Sequence, residues 1–104
     1  MKYIIEFETQ AINDIDNIGD YIELNLDAPQ AARNLYNGII REIDKLEYFA
    51  HSFAASTSKM VLSYGKNAKR INYRHYAIIY TIEIPYVVIH RIMHGSLIID
   101  WSLI

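Results

Sequence analysis

The feature that most constrains this chain is a change of hydrophobic period near its middle. Ile12, Ile15, Ile18, Ile22 and Leu26 recur at three- and four-residue steps, while Asn13, Asp14, Asp16, Asn17 and Asp20 fill the other faces. That spacing specifies an amphipathic helix, with Thr9 as its N-cap and Gly19 a tolerated weak point. Residues 25–29 end it. Asp27 as cap, Pro29 in the first turn and Gln30 three residues after the cap then open a second helix. Ala32, Leu35, Tyr36, Ile39, Ile43 and Leu46 carry the period on to about Tyr48. With so short a link, the two helices form an antiparallel hairpin. From Lys69 the period becomes two. Lys69 to Tyr73, Tyr76 to Glu83 and Tyr86 to Met93 read as strands, divided by tight turns at Arg74-His75 and Ile84-Pro85. Tyr3 to Phe7 is a short strand ahead of the helices. Residues 50–67 lack a period and read as a loop with room for one short strand or turn.

The order β-α-α-β-β-β is an α+β fold: an N-terminal strand, a two-helix hairpin, and a three-stranded antiparallel meander whose one face packs on the helices. Tyr76 and Tyr80 share a face with Ile78 and Ile82 and belong to that core. Ala77, Ile79 and Thr81 point the other way, toward a face expected to stay open to solvent or a partner. His90 and Arg91, adjacent on a strand, are expected on opposite faces.

A chain of 104 residues with 52% hydrophobic and 21% charged residues makes a single domain, residues 1–104, with a modest core. It has no cysteine, which removes disulfides, thiolate metal sites and Cys nucleophiles. No apolar run approaches the ~18 residues of a membrane span. The start, Met1 to Glu8, is short and acidic for a secretory signal, so a cytoplasmic location is expected. The four histidines have no carboxylate at ligand spacing except Asp100, and the four glycines are not clustered, so neither a metal nor a cofactor is expected.

Charge is distributed unevenly. Residues 1–58 carry Lys2, Arg33, Arg41 and Lys45 against ten acids, or 4 − 10 = −6. Residues 59–104 carry six basic residues against Glu83 and Asp100, or 6 − 2 = +4. Lys59, Lys66, Lys69, Arg70 and Arg74 run without an acid between them, a local attraction for an anionic partner in a chain of net charge −2.

In this setting Ala11-x-x-Asp14-Ile15-x-x-Ile18-x-x-Tyr21-Ile22, Pro29-x-Ala31-Ala32, Ile39-x-x-x-Ile43-x-x-Leu46, Gly65-Lys66-x-x-x-Arg70, Tyr76-x-Ile78-x-Tyr80-x-Ile82 and Val88-x-x-Arg91-Ile92-Met93-His94-Gly95 together resemble the RelE/ParE superfamily, the toxins of bacterial type II toxin–antitoxin modules. The two full-length helices are more similar to the ParE branch, whose members poison DNA gyrase, than to the RelE branch, which cleaves mRNA on the ribosome. The resemblance implies a cognate antitoxin that wraps the toxin and holds it inactive.

RNA cleavage by 2′-hydroxyl attack needs a base, cations for the phosphorane and an acid for the leaving oxygen. The resemblance would assign these tasks to Arg70, Arg91 and His94. Other positions depart from the RelE pattern. Ala77, Ser96, Leu97 and Ile98 stand where arginines are common, and Trp101 stands near the place of a catalytic tyrosine, where an indole shuttles no proton. Lys69 and Arg70 point to opposite faces, so one of them at most serves a site. Lys66, Lys69, Arg70, Arg74 and Trp101 are the candidate partner-binding residues, and the apolar tail after Ser96 suits an antitoxin segment or a second copy of the chain. Three activities follow from the resemblance: a gyrase-binding toxin with no catalytic centre, a ribosome-dependent endonuclease, and an inactive homologue that only binds antitoxin. The lost basic positions and the net charge favour the first, because ribosome binders rely on phosphate contacts.

Overall fold

The computed structural model describes residues 2–98. Asp100 and Trp101, and with them most of the apolar tail, lie outside the described residues. The elements are β1 (Ile4–Phe7), α1 (Thr9–Asp20), α2 (Pro29–Phe49), a one-turn α3 (Lys59–Leu62), β2 (Lys69–Tyr73), β3 (Tyr76–Glu83) and β4 (Tyr86–His94). The four strands form one sheet in the order β1-β4-β3-β2. β2, β3 and β4 are the antiparallel meander, and β1 joins the far side of β4 in parallel, pairing Ile4 with Tyr86 through Phe7 with Ile89.

Both helices form on the apolar spacing, but their caps differ from expectation. α1 starts after Glu8 rather than on a Thr9 cap, and α2 starts after Ala28; neither cap residue makes a side-chain cap bond. Gln30 donates to Asn34 instead of capping, and Asp27 takes a left-handed φ of 50° to turn the chain between helices. Apolar burial against the sheet therefore holds these helices more than capping does. Past Asp20 the chain widens into one π-type stretch, Tyr21–Asn25, before the link.

The main core lies between the hairpin and the sheet. Leu35, Ile39, Ile43 and Leu46 of α2 meet Ile78, Tyr80, Val87, Ile89 and Ile92. Tyr80 is fully buried and donates from its hydroxyl to the Ala50 carbonyl at 2.7 Å; burial pushes its phenol well above the ordinary tyrosine range. Gly38 is the helix position that lets β2 come close, because a Cβ there would fall 2.0 Å from the Tyr73 ring.

The other sheet face is not open. Ala77 and Ile79 are completely buried and Thr81 is 5% exposed. The segment expected to be a loop folds over them, its α3 turn capped by Ser58, and a second small core of Val61, Ala68, Ile79 and Met93 forms there with Met60, Tyr64 and Ile98 packed around it. The reason is simple: a strand that alternates apolar residues on both faces needs a cover on both.

The second correction concerns β4. Ile79 pairs with Arg91 but Tyr80 pairs with Ile89, so His90 is an extra residue in the ladder. This bulge shifts the alternation: Ile89 and Ile92 both face the helix-side core. His90 and Arg91 are thus turned to the same side, where Tyr64 touches both, with ring centroids 5.9 Å apart from His90 and its hydroxyl 3.5 Å from Arg91 Nη1.

Candidate functional site

Two regions hold the candidate residues. The first is the outer sheet face and its β2 edge. Arg70 and Arg91 flank Ile79 in one cross-strand row, two strand spacings or roughly 10 Å apart. Arg91 is not free. Its Nε and Nη2 donate to the two Asp14 carboxylate oxygens at 2.7 and 3.1 Å, and Asp14 Oδ2 also accepts from the Ile92 backbone N–H at 2.9 Å. This bidentate bond raises the Arg91 pKa further. Asp14, expected on the polar side of α1, is 8% exposed. The available signal was its place three residues after Ala11 and beside Ile15, on the helix's buried stripe.

Arg70 reaches the residue that follows His94. Arg70 donates from Nε to Asn72 Oδ1 at 2.8 Å, and its Nη2 lies so close to Gly95 that a Cβ there would sit 2.9 Å away. His94 stacks on His75 at 5.8 Å, meets Tyr76 edge-on at 5.7 Å, and accepts from the Ser96 N–H at Nδ1. Lys69 faces the opposite side, as expected, and donates to the Phe53 carbonyl. Arg74 has a left-handed φ of 54° and lies over the Tyr73 ring at 5.5 Å. Lys66 is exposed, lining a separate hollow with Thr81 and Glu83. This end of the sheet therefore offers Arg70 on the edge strand β2, Arg74 in the turn after it, and His94 at the end of β4. A general acid or base is available in His94, but the second arginine of a phosphorane site is already bound to a carboxylate.

The second region is the outer side of the helix hairpin. Two adjoining hollows of about 230 and 200 Å³ share Ile15, Asp16 and Tyr36. Together they make a groove between α1 and α2. Its apolar wall is Phe7, Ile12, Tyr36 and Ile40, with Ile12 and Tyr36 each 49% exposed. At its other end stand Asp16, Asp20 and Glu23, none of them in a salt bridge among the described residues, opposite Arg33. The groove has no nucleophile or acid–base pair; it has apolar area and uncompensated charge, the composition of a protein-binding surface.

Among the described residues no group of three metal-ligating side chains occurs. A family model described as the ParE toxin of the type II toxin–antitoxin system parDE matches residues 5–98. The chain is also similar to a solved structure described as the chromosomal ParDE TA system from P. aeruginosa, with 18% identity and a TM-score of 0.72. That match covers 89% of this chain and 96% of the other, and at such identity it is a likeness of fold. A comparison with curated proteins finds no match.

Proposed function

This chain belongs to the ParE toxin family of type II toxin–antitoxin systems, and from that membership we propose that it arrests growth by binding DNA gyrase and is neutralised by a cognate antitoxin. The observation that carries the first part is the Arg91–Asp14 pair. It ties up one of the three residues of a ribonuclease reading, while the acidic, apolar helix groove has no such engagement among the described residues. An acidic groove repels rRNA, and a net charge of −2 gives little of the phosphate affinity that a ribosome binder uses.

For the antitoxin, the covered outer face supports the β2 edge as the contact. Its unpaired backbone and Lys69, Arg70 and Arg74 suit an extended acidic segment that adds to the sheet. Changing Lys66, Lys69 and Arg70 together to glutamate should then weaken antitoxin binding at least tenfold; unchanged affinity would place the contact elsewhere.

Induction of the chain alone in a bacterial host, followed by pulse-labelling with thymidine and methionine over the first minutes, tests the target. Thymidine incorporation should fall first. If methionine falls first, the target is the ribosome, with Arg70 and His94 as catalytic candidates. If neither falls, the chain is an inactive antitoxin binder.

A further inference from the structure

Gly38, Gly65 and Gly95 each have a side chain within 3.0 Å of the place a Cβ would take, so contacts inside the chain account for them. Gly19 is different. It sits in a helical run that continues from Thr9 to Asn25. Glycine there lowers the helical equilibrium about fivefold against alanine. Apart from its chain neighbours and its own helix backbone, no atom of the described residues comes within 4 Å of its Cβ position. The room left by the missing side chain belongs to the hollow of about 230 Å³ between the helices, which Ala32 lines from the side of α2.

A second local cost borders the same hollow. Asp16, Asp20 and Glu23 follow one another at four and three residues, a spacing at which like charges destabilise a helix. None of them is in a salt bridge among the described residues. Arg33, which also lines the hollow, donates to Gln30 on its own helix. Two choices that weaken the first helical run thus converge on one place, and no contact among the described residues offsets either. Local rules broken together in this way mark a site kept for binding rather than for folding.

What would offset both costs has a definite chemistry. A carbon chain would fill the room beside Gly19 and Ala32 and lie against Ile15 and Tyr36. A positive end group would relieve the repulsion among the three carboxylates. An apolar side chain supplies only the first, and a small cation only the second. Lysine and arginine carry both on one side chain, and a cation over the half-exposed Tyr36 ring gains further.

We propose that this hollow seats a lysine or arginine anchor of the protein on which the toxin acts. The adjoining hollow of Phe7, Ile12 and Ile40 takes an apolar residue of the same segment. The inference rests on the groove reading of function given above and adds the chemistry of the partner. Gly19 is then a specificity residue, which keeps the seat open for the anchor.

The test is Gly19→Leu in the full chain, induced in a bacterial host and compared at matched soluble expression. Leucine is a strong helix former and fills the hollow with its own side chain. The variant should melt at or above the native temperature, while the amount of soluble chain needed for half-maximal growth arrest rises at least tenfold. Asp16→Asn/Asp20→Asn/Glu23→Gln, with the like-charge row gone, should show the same two shifts. A folded Gly19→Leu chain that arrests growth at the native dose overturns the proposal, and if the antitoxin no longer neutralises it, the occupant is the antitoxin. A neutral triple variant with native arrest overturns it too, because the anchor is then not cationic. Tyr36→Arg separates this failure from that of the groove reading. Arrest lost in Tyr36→Arg alone keeps the groove as the binding surface and removes the anchor; native arrest by all three variants ends both readings. A native chain that sediments as a dimer, and as a monomer after Gly19→Leu, assigns the hollow to a second copy and also overturns the proposal.

Discussion

The two faces of the sheet are covered by different means. The inner face rests on helices of 12 and 21 residues, with a core that runs from Tyr3 and Ala11 to Ile92. The outer face is covered by a four-residue helix and loop that bury four residues completely or nearly so. The thick cover leaves its own far side as an apolar, acidic groove with no salt bridge across it among the described residues. The thin cover brings polar side chains together, but they are engaged: Arg91 with Asp14, His90 with Glu8 and Thr81. His90 and Arg91 on the outer side are tied to carboxylates, whereas Asp16, Asp20 and Glu23 on the hairpin's far side are in no salt bridge among the described residues.

The contrast can be broken at the cores first. Ile43→Ala, at 1% exposure beneath α2, should cost about 2–5 kcal/mol. Val61→Ala in the outer cover should cost about half as much, and urea unfolding of the two variants compares them. Equal costs would mean that the two layers fold as one core. Asp14→Ala comes next. It strands the Arg91 guanidinium and the Ile92 N–H, and about 2–4 kcal/mol should be lost. A double-mutant cycle with Arg91→Ala should return a coupling above 1 kcal/mol; additivity would reduce the pair to two surface charges. Tyr36→Arg in the groove sharpens the comparison from the binding side. Stability should change by no more than about 0.5 kcal/mol at so exposed a position, while growth arrest should be strongly reduced, as loss of an aromatic anchor at an interface commonly costs 2 kcal/mol or more. The smallest effect is expected at Arg74→Asn. Asparagine tolerates left-handed backbone better, so the melting temperature should rise by the equivalent of about 0.5 kcal/mol.

Much of this was legible in the chain's periods. Ala32 to Leu46 and the alternation after Lys69 place α2 and the three meander strands within a residue or two, because periodic burial is what defines those elements, whereas the pattern Ile12 to Leu26 outruns α1, which stops at Asp20 and passes into the π-type stretch Tyr21–Asn25. The cover over Ile79 was not legible. Residues 53–68 have no period of their own, and Met60, Val61 and Tyr64 are too few to announce a layer. The bulge was hidden for a different reason: His90 and Arg91 look like any two residues of an alternating strand, and only the pairing with β3 reveals the extra one. Asp14 and Arg91 are 77 positions apart, so nothing local joins them. Of the candidate residues, Arg70 reaches only the residue after His94, and Arg91 is bound to Asp14. The sequence did not pick out the groove, whose walls come from two helices whose relative placement a single sequence does not state.

On the proposed function, growth arrest depends on the helix groove and not on the basic end of the sheet. Growth arrest on induction of Tyr36→Arg, set beside the double variant Arg70→Ala/His94→Ala at matched soluble expression, tests it most directly. The account predicts that the groove variant is harmless and that the double variant arrests growth like the native chain. Arrest by the groove variant with a harmless double variant would contradict it.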